Sequence, residues 1–309
     1  MARRLACAAT GAGASACVAA AAATVTSAAA RWRAASPGGL DRWTRTNHAG
    51  QAVTLLEGPE YVLGAVAGSS LARSRAGLLA TAAAGALGAL DDLAGDASSK
   101  GLRGHLMALR RGQVTTGAVK VVGLFITGVV AAAAHAADHY LAADHHLAVD
   151  HHLAADHHLA PAGRRSTGVL DVLVGGAVVA GTANLVNLLD LRPGRALKAT
   201  IVLGTVLALA GSRTAAAAVG AATAALPDDL AGASMLGDTG ANAAGALLGV
   251  ALIDRLDRPG RLAALGALTA LTLASEKVSF TALIESTPVL RRLDGWGRPA
   301  PETAGEVSA

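Results

Sequence analysis

Long stretches of the chain contain no charged residue, and short polar clusters separate them. Such stretches predict membrane-spanning helices, since about 20 apolar residues cross a bilayer. We therefore expect an all-α fold, a polytopic transmembrane helical bundle of about nine spans that forms a single domain over residues 1–309. The predicted spans cover approximately residues 5–30, 60–72, 76–90, 114–136, 168–189, 197–211, 214–226, 243–253 and 261–274.

The segments that flank the spans are less uniform. Arg3 and Arg4 precede the first span, so a signal peptide is the alternative interpretation there. Residues 73–75 (Arg-Ser-Arg) predict a tight hairpin between spans two and three, because one continuous helix would bury two arginines in the bilayer. From about residue 275 the chain forms an amphipathic tail, which we expect to lie on the membrane surface.

Composition and charge support a membrane protein. Hydrophobic residues make up 52% of the chain and charged residues only 16%. The net charge of +4 would suit nucleic acid, but the basic residues lie in short loops, where they act as topology signals. We expect no nucleic-acid partner. Alternating the spans places more Lys and Arg on one side, which predicts the cytosolic face of the plasma membrane.

Acidic residues lie at the ends of several spans. Asp91 and Asp92 end the third span, although the C-terminal end of a helix is electrostatically unfavourable for anions. A cation between these acids and a substrate would make them tolerable. Asp190 ends the fifth span and Asp238 precedes the eighth, and all four acids fall on the predicted cytosolic side. The pattern predicts a shared metal and phosphate site in the cytosolic loops.

Two further polar segments have simpler interpretations. Pro227 with Asp228 and Asp229 predicts a break after span seven, which the two acids cap or solvate. A repeat of Asp-His-His-Leu with a period of six lies in a histidine-rich, low-complexity insert at residues 135–160, which we interpret as a loop on the face opposite the acids. Its histidines and aspartates would alternatively hold zinc, nickel or copper loosely, which raises a divalent-metal transporter as one functional hypothesis.

Four motifs occur in order along the chain. They are Asp91-Asp92, Lys100-Gly101-Leu102, Asn184-x-x-Asn187-x-x-Asp190 and Gly237-Asp238-Thr239-Gly240. Over roughly residues 40–255 this set resembles the polyprenyl-phosphate N-acetylhexosamine-1-phosphate transferases. That family includes phospho-N-acetylmuramoyl-pentapeptide transferase and the lipid-carrier GlcNAc-1-phosphate transferases.

The resemblance implies a Mg²⁺-dependent enzyme that moves a sugar-1-phosphate from a UDP-sugar to a polyprenyl phosphate carrier and releases UMP, for peptidoglycan or another cell-envelope polymer. The resemblance is also compatible with a homodimer. It also implies roles for individual residues. The role of Arg103 is instead inferred from its charge, which suits a contact with phosphate. The predicted catalytic residues are Asp91, Asp92 and Asp190, the metal ligands are Asn184 and Asp238, and the substrate-binding residues are Lys100, Arg103, Asn187 and Asn47.

The chain also departs from the family pattern. Pro193 stands where family members commonly carry a second aspartate, and residues 275–309 contain no histidine where many members have a histidine motif. These departures keep a second function open. The chain would then be a catalytically altered or inactive membrane paralogue that binds the lipid carrier or a wall-synthesis partner.

Overall fold

The computed structural model describes residues 2–34, 41–46, 50, 52–94, 110–112, 116–153 and 168–299. These residues are mostly helical, with one short antiparallel hairpin of β1 (Thr44–Thr46) and β2 (Ala52–Thr54). The helices are α1 (Ala2–Ala34), α2 (Glu57–Leu71), α3 (Arg75–Ala94), α4 (Thr116–Leu153), α5 (Val169–Leu189), α6 (Arg195–Leu209), α7 (Arg213–Leu230), α8 (Gly237–Arg255), α9 (Arg258–Ser275), α10 (Phe280–Ser286) and α11 (Pro288–Gly295). An all-α bundle is confirmed, and each of α1 to α9 overlaps one of the nine predicted spans.

Four of the described helices are long and apolar enough to cross a membrane. Their apolar segments are Gly11–Trp32, Arg75–Ala94, Gly117–Tyr140 and Val169–Leu189. A fifth crossing is formed if α9 and α10, which are bent by 90° relative to each other, count as one span. These helices indicate a membrane protein, whereas crossing by all nine stays a prediction.

Length or burial explains why three of the remaining helices do not qualify. Helices α2 and α6 have 15 residues each and extend about 22 Å, less than the roughly 30 Å of a hydrocarbon core. Helix α8 has 19 residues, nearly all of them buried, and many are Ala or Gly. It packs against α3, α5, α2, α7 and α6. Because α8 is surrounded by protein, it does not need the strongly apolar side chains of a lipid-facing helix.

Small residues allow the central helices to approach closely. A Cβ atom added to Gly88 on α3 would lie 2.1 Å from the carbonyl oxygen of Asp238 on α8. Likewise, a Cβ at Gly128 on α4 would lie 2.2 Å from the carbonyl oxygen of Gly176 on α5. Backbone contact of this kind is typical of helices packed within membranes, where small residues form the interfaces.

Large apolar side chains cover the outer surface of the bundle. Val122 and Ile126 on α4 are more than half exposed, as are Val202, Val206 and Leu209 on α6. A water-soluble monomer rarely exposes apolar surface this extensively. The distribution agrees with helices that face lipid.

Two local predictions are wrong. Helix α4 continues to Leu153, so the first three copies of the histidine repeat are helical where a loop was expected. The high helix propensity of the interspersed Ala and Leu residues favours this outcome. Helix α7 continues through Pro227 to Leu230, because a proline in the last turn removes only one helical hydrogen bond. Residues 154–167, with the last repeat, lie outside the described residues.

The helix order brings titratable side chains together at two opposite ends of the bundle. The C-terminal ends of α3 and α5 meet the N-terminal ends of α4 and α8 at one end, called here the carboxylate end because it holds Asp91, Asp190 and Asp238. His135 on α4 and Asp254 on α8 mark the other, the histidine end. Along α4, Lys120 and His135 are about 22 Å apart.

Candidate functional site

Asp92 at the end of α3 caps the N-terminus of α8. Its carboxylate accepts hydrogen bonds from the backbone N–H groups of Asp238 (3.0 Å) and Thr239 (2.9 Å), and from the hydroxyl of Thr239 (2.6 Å). The guanidinium of Arg45 donates to the Asp92 carbonyl oxygen at the negative end of α3. The positive end of α8 therefore offsets the unfavourable position of this acid at the end of its own helix.

Lys120 joins two acids that come from different helices. Its Nζ atom lies 2.7 Å from Oδ2 of Asp238 and 3.3 Å from Oδ2 of Asp91. The three side chains are largely buried, with exposed fractions of 14% for Lys120, 24% for Asp238 and 19% for Asp91. A single ammonium group thus partly neutralises two carboxylates in a region of restricted solvent access.

Three further acids lie buried at the same end. The pKa of Asp190 is raised well above its usual value by burial and by the charges of Asp229 and Asp238, although a backbone hydrogen bond from Gly237 opposes the shift. Burial and the charge of Asp229 likewise raise the pKa of Glu57 well above its usual value. Asp229 accepts a hydrogen bond from the N–H of Gly194 (3.0 Å) and is not the solvated residue that was predicted.

An open groove of about 610 Å³ runs between α4, α5 and α9. Its walls are mainly apolar, with Leu124, Phe125, Leu265, Leu268 and Leu273 among the residues that form them. Asp91, Lys120, Asn184 and Asn187 contribute the polar part of the lining. The groove is thus amphipathic and suits a ligand with a long apolar body and an anionic or polar group.

The structure places both predicted asparagines in this groove, one turn apart on α5. The amide nitrogen of Asn184 donates to the hydroxyl of Thr272 on α9 (3.2 Å), which fixes the side-chain plane. Asn187 lines the same groove. Both amides therefore lie on the groove face of α5.

The amphipathic tail packs onto the carboxylate end. Asp294 on α11 lies 2.7 Å from the Nε atom of Arg195 at the start of α6, and it also pairs with Arg298 (3.1 Å). Burial acts to raise the pKa of Asp294, but the hydrogen bond and charge of Arg195 outweigh it, so this pKa is lowered. Arg298 in turn donates to the carbonyl of Pro193 (2.8 Å). The tail is thereby fixed beside the loop that follows Asp190.

The oxygen ligands at this end suit Mg²⁺. Asp91 and Asp238 both direct an oxygen to the same cationic group, so their oxygens converge on one position where positive charge is stabilised. Mg²⁺ prefers one or two carboxylates completed by water and substrate phosphates. Asn184, the other predicted ligand, lies along the same groove as Asp91. Asp91 and Asp238 are therefore the residues that best fit a Mg²⁺ site.

Three predicted substrate-binding residues, Lys100, Arg103 and Asn47, lie outside the described residues. Conversely, sequence reasoning missed Lys120 and Glu57. Lys120 carried a usable signal, because a lone lysine within an otherwise apolar span is costly unless it has a partner. Glu57 carried none, since an acid in the first turn of a helix is common.

Comparison with protein-family models, with curated proteins and with solved structures finds no match to this chain.

Proposed function

We propose that the protein transfers a sugar-1-phosphate from a UDP-N-acetylhexosamine to a polyprenyl phosphate and releases UMP, at the cytosolic face of the plasma membrane. The amphipathic groove is the observation that supports this most. Its apolar walls suit an isoprenoid chain that enters from the bilayer, and Lys120 offers a cation for the phosphate of that chain. The neighbouring acids then lie beside the phosphate, where the proposed chemistry needs them.

In the proposed reaction an oxygen of polyprenyl phosphate attacks the β-phosphorus of the UDP-sugar. A new P–O bond forms while the bond from that phosphorus to the bridging oxygen breaks, and UMP leaves with the electron pair. Both reactants are anions, so the site must reduce their repulsion. Lys120 supplies positive charge, while Asp91 and Asp238 hold its ammonium group in place.

Mg²⁺ would take the position between Asp91 and Asp238 that the Lys120 ammonium group holds in the free protein, and would leave Lys120 to face the phosphate. When bound, the metal stabilises negative charge on phosphoryl oxygens. Asn184 and Asn187 would orient polar groups of the substrates along the groove. Asp92 would have a positioning role. Because its carboxylate accepts three hydrogen bonds from α8, it positions Asp238 and does not offer a free oxygen to a substrate.

UMP release by the full chain in detergent tests the proposal, with a panel of UDP-sugars and polyprenyl phosphate, with and without Mg²⁺. We expect release to require the lipid, one of the sugars and the metal. Lys120→Met should reduce the rate by about 100-fold or more, the usual effect of removing one stabilising charge at an anionic transition state. Glu285→Gln is the matched control, since Glu285 is an exposed carboxylate (56%) on α10 that pairs with Arg192. Absence of UMP with every sugar would reject the enzyme.

A specific observation favours a second function, that of a non-catalytic protein that binds the lipid carrier. Asp92 is engaged by α8, and Lys120 already pairs with Asp91 and Asp238, so the predicted catalytic acids have partners within the chain. Pro193, which replaces an expected aspartate, lies beneath the tail. Saturable binding of polyprenyl phosphate without UMP release would support this second function.

A further inference from the structure

A second cluster of potential ligands lies at the histidine end, far from the groove. His135 and His139 are one turn apart on α4, so their imidazoles lie on the same face. Asp254, near the end of α8, approaches them, and its Oδ1 atom lies 3.7 Å from Nε2 of His139. One ligand atom from each of the three residues lies within 4.8 Å of the others. Helices α4 and α8, which are far apart in sequence, therefore bring imidazole and carboxylate metal ligands together.

The cluster borders a cavity of about 190 Å³, which Asp171 on α5 and Arg261 on α9 also line. A cavity of this size accommodates an ion together with water molecules, since one water occupies about 30 Å³ of liquid volume. Asp171 adds a third helix to the lining. Four helices thus meet around a polar cavity at an end of the bundle that the proposed transferase chemistry does not use.

Neighbouring arginines orient the carboxylates of the cavity. Arg255 binds Oδ2 of Asp254 through Nε (3.0 Å) and a second nitrogen (2.9 Å), which leaves Oδ1 directed at His139. The Nε atom of Arg258 lies 3.2 Å from Oδ1 of Asp171. Such outer contacts are a regular feature of metal sites, where they fix the ligand orientation.

The cation of Arg261, which lines the cavity, opposes a metal. Its guanidinium, however, donates to the carbonyl oxygens of Leu256 (3.0 Å) and Ile253 at the C-terminal end of α8. The negative end of that helix offsets part of the charge. Without a metal, the two imidazoles would simply make an edge-to-face contact, since their ring centroids are 4.5 Å apart.

We propose that His135, His139 and Asp254 bind one divalent transition-metal ion of the zinc class, which joins α4 to α8. Two imidazole nitrogens and one carboxylate oxygen form a ligand set that Zn²⁺, Co²⁺ and Ni²⁺ favour, whereas Mg²⁺ favours oxygen alone. Three protein ligands leave a further position for water. The site is independent of the transferase proposal, because it lies at the other end of the bundle.

The test must separate this cluster, which includes His139 of the first repeat copy, from the histidines of the other three copies, which also attract metals. The parent for the test is therefore the full chain with six repeat histidines (145, 146, 151, 152, 157 and 158) replaced by alanine. Binding of Zn²⁺ is measured by equilibrium dialysis in detergent, and Co²⁺ binding by visible absorption. We expect one ion per chain to remain bound and to raise the unfolding temperature.

Single substitutions in that parent then identify the ligands. His139→Ala should weaken binding by about 10-fold or more and abolish the thermal stabilisation by Zn²⁺, whereas His139→Cys should retain Zn²⁺. The His139 side chain is 62% exposed, so its loss leaves the core intact. Asp138→Asn is the matched control, because Asp138 lies in the same turn but pairs with Arg75 (3.3 Å). Loss of all binding with the repeat histidines, or unchanged binding in His139→Ala, would overturn the proposal.

Discussion

The Asp92 cap allows a quantitative prediction about stability. Asp92→Ala removes the acceptor of three hydrogen bonds that the α8 N-terminus donates. A net hydrogen bond contributes about 1 kcal/mol, and bonds to a charged group contribute more. Asp92 is only partly buried, so water replaces part of the lost interaction. We therefore expect a loss of about 2 kcal/mol in the free energy of unfolding, close to the upper range for helix caps.

Thermal unfolding in detergent measures this effect, and the expected decrease in Tm is roughly 4 °C or more. Asp91→Asn serves as the control and should cost less, because Lys120 keeps its shorter contact with Asp238. Thr239→Val removes one of the three donors, and combining it with Asp92→Ala should be less than additive. Full additivity, or a change below about 0.5 kcal/mol in Asp92→Ala, would refute the cap.

Three further predictions concern packing, the groove and the tail. Gly88→Ala places a Cβ against the α8 backbone and should destabilise the protein by about 1–3 kcal/mol, whereas Gly266→Ala meets open space and should be neutral in the same melt. Ala180→Phe fills the groove and should weaken polyprenyl phosphate binding about tenfold in a detergent binding assay, while Val202→Phe on the exposed face of α6 should not. The pKa of Asp294 is lowered in the folded protein, so its carboxylate stays ionised and keeps its ion pairs until the solution is acidic. Docking of the tail, measured by tryptophan fluorescence, should therefore persist from pH 7 to 5 and weaken only below about pH 4. Release of the tail near pH 6 would contradict this prediction.

The sequence alone predicts the helices and the end at which the acids meet. Charge-free stretches fix the helices, and consecutive helices must alternate in direction when their connections are short. Asp91 and Asp238 therefore fall at one end by counting alone. Hydropathy is less informative about which helices cross the membrane, since α8 is enclosed by protein and its small residues reflect packing.

Contacts between particular residues could not be predicted in this way. The ion pair of Lys120 with Asp238 requires α4 to reach the N-terminus of α8, and nothing in the local pattern of either helix specifies that arrangement. The Asp92 cap depends on Gly88, whose missing side chain lets α3 approach α8. Tertiary packing also changed the role of Asp229, which local sequence assigned to a solvated break.

Transfer of label from a UDP-N-acetylhexosamine radiolabelled at its β-phosphate tests the central claim most directly. The full chain in detergent, with polyprenyl phosphate and Mg²⁺, should move the label into the organic phase and leave unlabelled UMP in water. Lys120→Met should slow this transfer by about 100-fold or more while the apolar walls of the groove still take up the lipid. Label that stays in the aqueous phase with every sugar, while polyprenyl phosphate binds saturably, would contradict the transferase and leave a lipid-binding protein.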